Sequence, residues 1–445
     1  MRVKNLLQSL GPGLLFAGAA VGVSHLVYST RAGANYGFGL IWLVLVANLF
    51  KYPFFEFGPR YATATGESLL KGYQRLGNWV LVIFVLITLG TMFTVQAAVT
   101  IVTASLAAHL FGGGSLMLWV GGLLLICSTL LLIGRYNLLD NLMKIIITTL
   151  TLLTLITVFI AFYNRQHPID WTQQFPIEGI GLTFVIAFMG WMPAPMDLSV
   201  WHSLWALEKR KSASNGFDLK KSLFDFNVGY IGTTVLAFFF VALGALVMYR
   251  SGTEFSPKGA VFAKQLIDLY VTTLGSGVGL FIGIAAFITM FSTTITCLDA
   301  LPRSMARAHS LLANTTSTLK IEKATAASSI EVIDTILDNE TGSSEATPTQ
   351  NILETPRRYY LGWLLVLVLG SLVILNVFLT NMAAFLMVAT TLSFLTAPFF
   401  AIVNYLLVFR YLPKTEQPSI GIKVLSWLGI AYLFVFCAIY IWSLL

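Results

Sequence analysis

Charge is what this sequence has least of. Only 11% of its 445 residues are Asp, Glu, Lys or Arg, against roughly 25% in an ordinary globular domain. That is too few to cover a water-facing surface, which excludes soluble enzymes and disordered chains. Cysteine is nearly absent too: Cys127, Cys297 and Cys437 all lie in apolar runs and none forms a CxxC pair, so neither a disulfide framework nor a zinc site is indicated. Nucleophile elbow, P-loop, HExxH and dinucleotide fingerprints are all missing, so the sequence indicates neither an enzyme nor a cofactor. What is present is apolar: 57% hydrophobic residues and a mean hydropathy of +0.80. Apolar runs near the ~20 residues that cross a bilayer recur along almost the whole chain. The fold class is therefore an all-α polytopic membrane protein surrounded by lipid. A net charge of +7 reflects basic loops at the membrane rather than a nucleic-acid partner.

The hydropathy pattern predicts about eleven spans, near 12–34, 38–58, 80–110, 116–134, 143–163, 178–206, 227–249, 276–302, 359–379, 382–408 and 424–445. The third is long for one crossing, so it is either a tilted helix or two short ones hinged near Gly90. An N-terminus in the cytoplasm and a C-terminus outside place 21 of the 27 lysines and arginines inside; Arg31, Arg165, Arg250, Lys258 and Lys264 fall outside, and Lys51 lies within a span. The bias of basic residues toward the cytoplasm sets this orientation, and the expected location is the inner or plasma membrane. The basic start, Met1–Gly11, has no small-residue cleavage site after it and reads as leading into a retained first span. The polar stretch from about His309 to Arg358 is expected to be a flexible cytoplasmic connector, with at most a short amphipathic helix at Ile330–Leu337. Trp119, Trp171, Tyr359 and Trp427, at span ends, read as interface anchors.

Two spans break the rule that membrane helices stay continuous, since backbone groups freed in hydrocarbon cost several kcal/mol each unless protein or a water-lined cavity meets them. The first reads Ala19-Ala20-Val21-Gly22-Val23-Ser24-His25, and the sixth Gly190-Trp191-Met192-Pro193-Ala194-Pro195-Met196-Asp197. Both interruptions lie mid-span, five spans apart. That is the pattern of two inverted five-helix repeats, 1–163 and 178–408, with 309–358 inserted in the second and an extra helix at 424–445. Unwinding is expected at Gly22–Ser24 and Met192–Pro195, with the two breaks facing one another. Asp197 sharpens the expectation, because an acid at membrane depth costs about 2.5–3.5 kcal/mol or more unless paired or solvated. His25 is placed where it would face Asp197. Elsewhere, Lys51 and Glu56, which flank Pro53 near the cytoplasmic end of the second span, are expected to snorkel or to pair with each other, and Asp299 to pair with Arg303; Asp299 and Gln96 are weaker candidates for coupling, and Gln96 and His109 for lining a pathway.

The run Gly11-Pro12-Gly13-Leu14-Leu15, then Ala32-Gly33-Ala34-Asn35-Tyr36-Gly37-Phe38-Gly39-Leu40, then Ala64-Thr65-Gly66-Glu67, resembles the opening of the natural resistance-associated macrophage proteins (NRAMP). Met192-Pro193 and Ser292-Thr293-Thr294-Ile295-Thr296 are similar to further signatures of that family. The resemblance implies the leucine-transporter-type inverted repeat, with broken helices 1 and 6 and alternating access. It implies proton-coupled import of manganese, iron or another divalent metal.

The metal motifs do not carry over intact. The family's Asp-Pro-Gly-Asn aligns with Gly22-Val23-Ser24-His25, so its aspartate becomes Gly22 and its asparagine His25. Met-Pro-His becomes Met192-Pro193-Ala194, the acidic third helix reads Thr94-Val95-Gln96-Ala97-Ala98-Val99, and the tenth helix offers Thr390 or Thr391 in place of a glutamine. The substrate-binding set expected here is Gly22, Ser24, His25, Met192, Ala194, Asp197, Thr390 and Thr391. Two cargo readings stay open. Met192, Asp197 and His25 supply a mixed shell for a divalent metal. Alternatively, Asp197 pairs with His25 or Arg31 and leaves a near-neutral pocket for a small non-metal solute or anion. Either would be driven by a coupling ion, a proton or sodium.

Overall fold

A computed structural model describes residues 10–133, 136–165, 168–176, 178–212, 217–249, 251, 254–332, 356–378 and 381–445. Among the described residues, nine helices are long and apolar enough to cross a membrane, and two shorter apolar helices, Thr151–Tyr163 and Gly179–Trp191, accompany them. The short pair belongs to the fifth and sixth spans, so all eleven expected spans have a helix. Leu45, Leu49, Leu86, Leu118, Leu125, Val373, Val377 and Leu428 point large apolar side chains outward, as lipid-facing helices must where tails rather than water surround them.

The third span is one unbroken helix, Asn78–Phe111. Nothing packs within 4 Å of where a side chain at Gly90 would begin, so that glycine is not needed for a neighbour's close approach. At the helix's far end His109 is exposed. The eighth span departs further from expectation, because its helix runs from Gly279 to Val332 through Pro302. The expected connector therefore begins as helix. Ser304, Met305, Ala306, Ala308 and Leu311 are buried there, and that burial keeps the segment wound past the one hydrogen bond a proline removes. Most of the Ile330–Leu337 segment, with Arg2, Lys4, Arg135 and Arg250, lies outside the described residues. Two shorter helices fall outside the predicted spans: Leu69–Leu76, capped by Ser68, whose hydroxyl accepts the Lys71 amide hydrogen, and Gly259–Leu274 between the seventh and eighth spans.

The broken spans occupy the middle of the bundle. The first packs along the seventh, the two halves of the sixth against the tenth and the second respectively, and the eighth against the third. The first half of the sixth span approaches the tenth so closely that a Cβ on Gly190 would lie 2.1 Å from the Thr390 carbonyl oxygen. Only glycine permits that approach.

Candidate functional site

The first span is helical over Pro12–Ala20, leaves the helix at Val21 and Gly22, and resumes as a π-helical stretch, Val23–Ser29, continuing as Thr30–Tyr36. The break is thus one step earlier and shorter than expected, with Ser24 already in the resumed helix. A Cβ at Gly22 would meet the Thr293 side chain at 2.9 Å, so glycine lets the eighth span press against the gap. The sixth span stops at Trp191, runs extended through Met192, and resumes at Leu198. Pro193 and Pro195 have no amide hydrogen to continue the ladder, and Pro193 pushes Met192 out of the helical region. The two breaks face one another across a cavity lined by Ala20, Val23 and Ser24 of the first span and Trp191, Ala194 and Pro195 of the sixth. Val95, Val99, Thr293 and Cys297 of the third and eighth spans close its sides.

Each break exposes the carbonyl end of a half-helix, the negative end of its dipole. In this structure both ends are occupied by the protein's own side chains. At the first, Ser24 Oγ donates to Ala20 O (2.7 Å) and reaches Pro193 O across the gap (3.3 Å). Thr293 Oγ1 lies 3.1 Å from Gly18 O and 3.4 Å from Val21 O. At the second, Lys51 Nζ donates to Met189 O (2.5 Å) and Gly190 O (3.0 Å). The expected pairing of Lys51 with Glu56 does not occur: Glu56 takes the Arg60 guanidinium at 2.5 Å, and Arg60 also donates to Glu416 O.

The structure brings only part of the expected set together. Ser24 and Ala194 line the cavity, and Gly22 backs it through Thr293. Met192 is buried in the break. His25 is turned to the protein: Nδ1 meets Ser24 Oγ (2.7 Å) and Ala20 O (3.1 Å), and Nε2 meets Thr233 O of the seventh span (2.9 Å). Arg31 is likewise not a partner for Asp197, since it donates to Ser256 O and lies over Phe262. Asp197 is buried at the start of the resumed helix, beside the Leu198 backbone N–H, and no basic side chain pairs with it among the described residues. Thr390 ties the tenth span to Tyr28 of the first (3.0 Å) while also bonding back to Leu386 O on its own helix, and Thr391 Oγ1 is buried without a partner. Gln96 links the third span to the eighth by donating to Thr294 O, and it also reaches Thr100 Oγ1 on its own helix. Asp299 is held by Arg303 and Tyr360, so the expected ion pair is present.

Three residues the sequence did not single out secure the surroundings. Asp225 of the seventh span accepts the Gly11 and Gly13 amide hydrogens at 2.8 and 2.6 Å, tying down the start of the first span. Asn404 of the tenth accepts from Tyr73 and donates to Phe54 O and Ser199 Oγ. His202 is buried among Phe16, Trp205 and Phe226 with neither ring nitrogen hydrogen-bonded. Among the described residues, no three His, Cys, Asp or Glu side chains gather as a metal cluster.

Known proteins share this arrangement. The family profile described as Natural resistance-associated macrophage protein-like matches residues 13–443. An uncharacterised protein of Pasteurella multocida (strain Pm70) is 40% identical over 301 residues, covering 66% of this chain and 69% of that one. The crystal structure of an Eremococcus coleocola manganese transporter mutant is similar in fold, with a TM-score of 0.69 at 16% identity over 98% of this chain and 86% of that one. So is Mhp1, a nucleobase-cation-symport-1 family transporter in a closed conformation, with a TM-score of 0.57 at 12% identity over 98% of this chain and 92% of that one. The chain belongs to the natural resistance-associated macrophage protein-like family and is an integral membrane secondary transporter of the leucine-transporter fold.

Proposed function

We propose that this transporter carries a divalent metal ion of the manganese or iron type between the broken first and sixth spans. The observation that carries the reading is Asp197: a carboxylate at membrane depth, two residues from the cavity-lining Pro195 and next in sequence to the cavity-lining Leu198, and without a basic partner among the described residues, is the charge compensation a desolvated cation needs. Met192, in the same break, supplies a thioether that prefers softer ions. Family membership points the same way. Cargo contact is assigned to Met192, Asp197, Gly22, Ser24 and Ala194. His25, Thr390 and Thr391 frame the site, His25 by way of its bonds to Ser24 and Thr233. The two repeats are taken as 1–163 and 178–408, with the N-terminus cytoplasmic, the C-terminus outside, and a proton or sodium as coupling ion.

A second reading rests on a specific observation. Every side chain lining the cavity is uncharged, and Ala194 stands where the family's motif has histidine. This favours a small hydrogen-bonding solute, since a dication binds fixed negative charge and oxygen or nitrogen donors. Calorimetry on purified protein separates the two. A metal carrier releases or takes up heat with manganese and cadmium, and Met192→Leu weakens cadmium more than magnesium. A folded protein that gives no heat with manganese, iron, cadmium or magnesium at millimolar concentration leaves the solute reading.

A further inference from the structure

Lys51 lies ten residues into the second span, Ile41–Thr65, and its side chain is completely buried. At ~1.5 Å per residue this is near the middle of the bilayer. A buried ammonium is retained only where acceptors replace its water. Here the acceptors are not a carboxylate, because Glu56 is taken by Arg60. They are Met189 O at 2.5 Å and Gly190 O at 3.0 Å, two of the last carbonyls of the half-helix Gly179–Trp191. Because the chain leaves the helix at Met192, the i+4 ladder stops there and Met189 O keeps only a long bond from the Met192 amide (3.4 Å); the two carbonyls form the negative end of the half-helix dipole. In a broken-helix transporter, such an end is where a cation binds.

We propose that the Lys51 ammonium is this protein's own cation at the broken sixth span, permanently filling a carbonyl site that would otherwise take a small monovalent cation. The proposal stands apart from the identity of the cargo. It has two consequences. No soluble ion is needed at that helix end to hold the break in shape, and a positively charged cargo cannot use those carbonyls, which leaves Asp197 to balance its charge.

The test is ion-dependent thermal stability of full-length protein in lipid nanodiscs, followed by tryptophan fluorescence. Wild type, Lys51→Met and Lys51→Gln are compared in choline chloride, with sodium chloride or ethylammonium chloride substituted at constant ionic strength. Lys51→Met removes charge and donors at similar length. Lys51→Gln keeps N–H donors without the charge, and it carries the test if Lys51→Met does not fold. Both variants should melt below wild type in choline, and sodium or ethylammonium should raise their melting temperatures saturably, while wild type responds to neither. Three outcomes overturn the proposal: Lys51→Gln matching wild type without ion response, variants whose lowered stability no cation recovers, or a wild type stabilised as strongly as the variants.

Discussion

Asp225 holds the start of the first span by a contact whose loss can be sized. Its carboxylate is fully buried and accepts from Gly11 N at 2.8 Å and Gly13 N at 2.6 Å. These are amides at the N-terminus of the half-helix Pro12–Ala20, with no partner inside the helix. Negative charge there also complements the helix dipole. Hydrogen bonds to a charged group contribute about 1.5–3 kcal/mol each. Asp225→Asn keeps one acceptor but turns its amide hydrogens toward the second backbone donor, so one such bond is lost and a buried N–H is left unpaired. A loss of about 3 kcal/mol for anchoring this half-helix corresponds to roughly a 100-fold shift in its opening. Cys297 reports that opening, because it lines the cavity behind the half-helix and is only 4% exposed. With Cys127 and Cys437 replaced by alanine, the maleimide labelling rate of Cys297 in detergent should rise by one to two orders of magnitude in Asp225→Asn. An unchanged rate in folded protein would refute the argument that Asp225 anchors the first span.

Two further substitutions test the packing around the site. His202→Phe should stabilise the protein by about 1–3 kcal/mol, because it removes two buried, unpaired nitrogens from an aromatic box that accepts a phenyl ring; a lowered melting temperature would show that the nitrogens are used. Glu56→Ala should cost about 3–5 kcal/mol by leaving the Arg60 guanidinium buried without its carboxylate, and denaturation that matches wild type would place the pair in water instead.

The two breaks are legible in the sequence because glycine and proline clusters at membrane depth free backbone groups that hydrocarbon cannot satisfy, and the structure leaves the helix at Val21–Gly22 and at Met192. Span positions are legible from hydropathy because lipid selects for it. Partners are not. The sequence places Glu56 five residues from Lys51 on the same helix, yet Lys51 meets carbonyls 138 and 139 residues away. His25, expected to face Asp197, instead closes on its own turn and on Thr233. Such contacts depend on how helices rotate about their axes, which a continuous apolar pattern on buried spans does not encode. The helix beyond Pro302 is hidden for a different reason: the sequence there is polar, while its burial comes from neighbouring spans.

If cargo passes between the breaks with Asp197 balancing its charge, uptake in proteoliposomes depends on that carboxylate. Purified wild type and Asp197→Asn are reconstituted in parallel, and radioactive manganese entry is followed under an imposed pH gradient and again under a sodium gradient. Wild type should show saturable uptake above empty liposomes under at least one gradient, and Asp197→Asn, present in equal amount and folded, should lose most of it. Uptake by Asp197→Asn at the wild-type rate would contradict the assignment of Asp197, and wild type indistinguishable from empty liposomes under both gradients would contradict metal as the cargo.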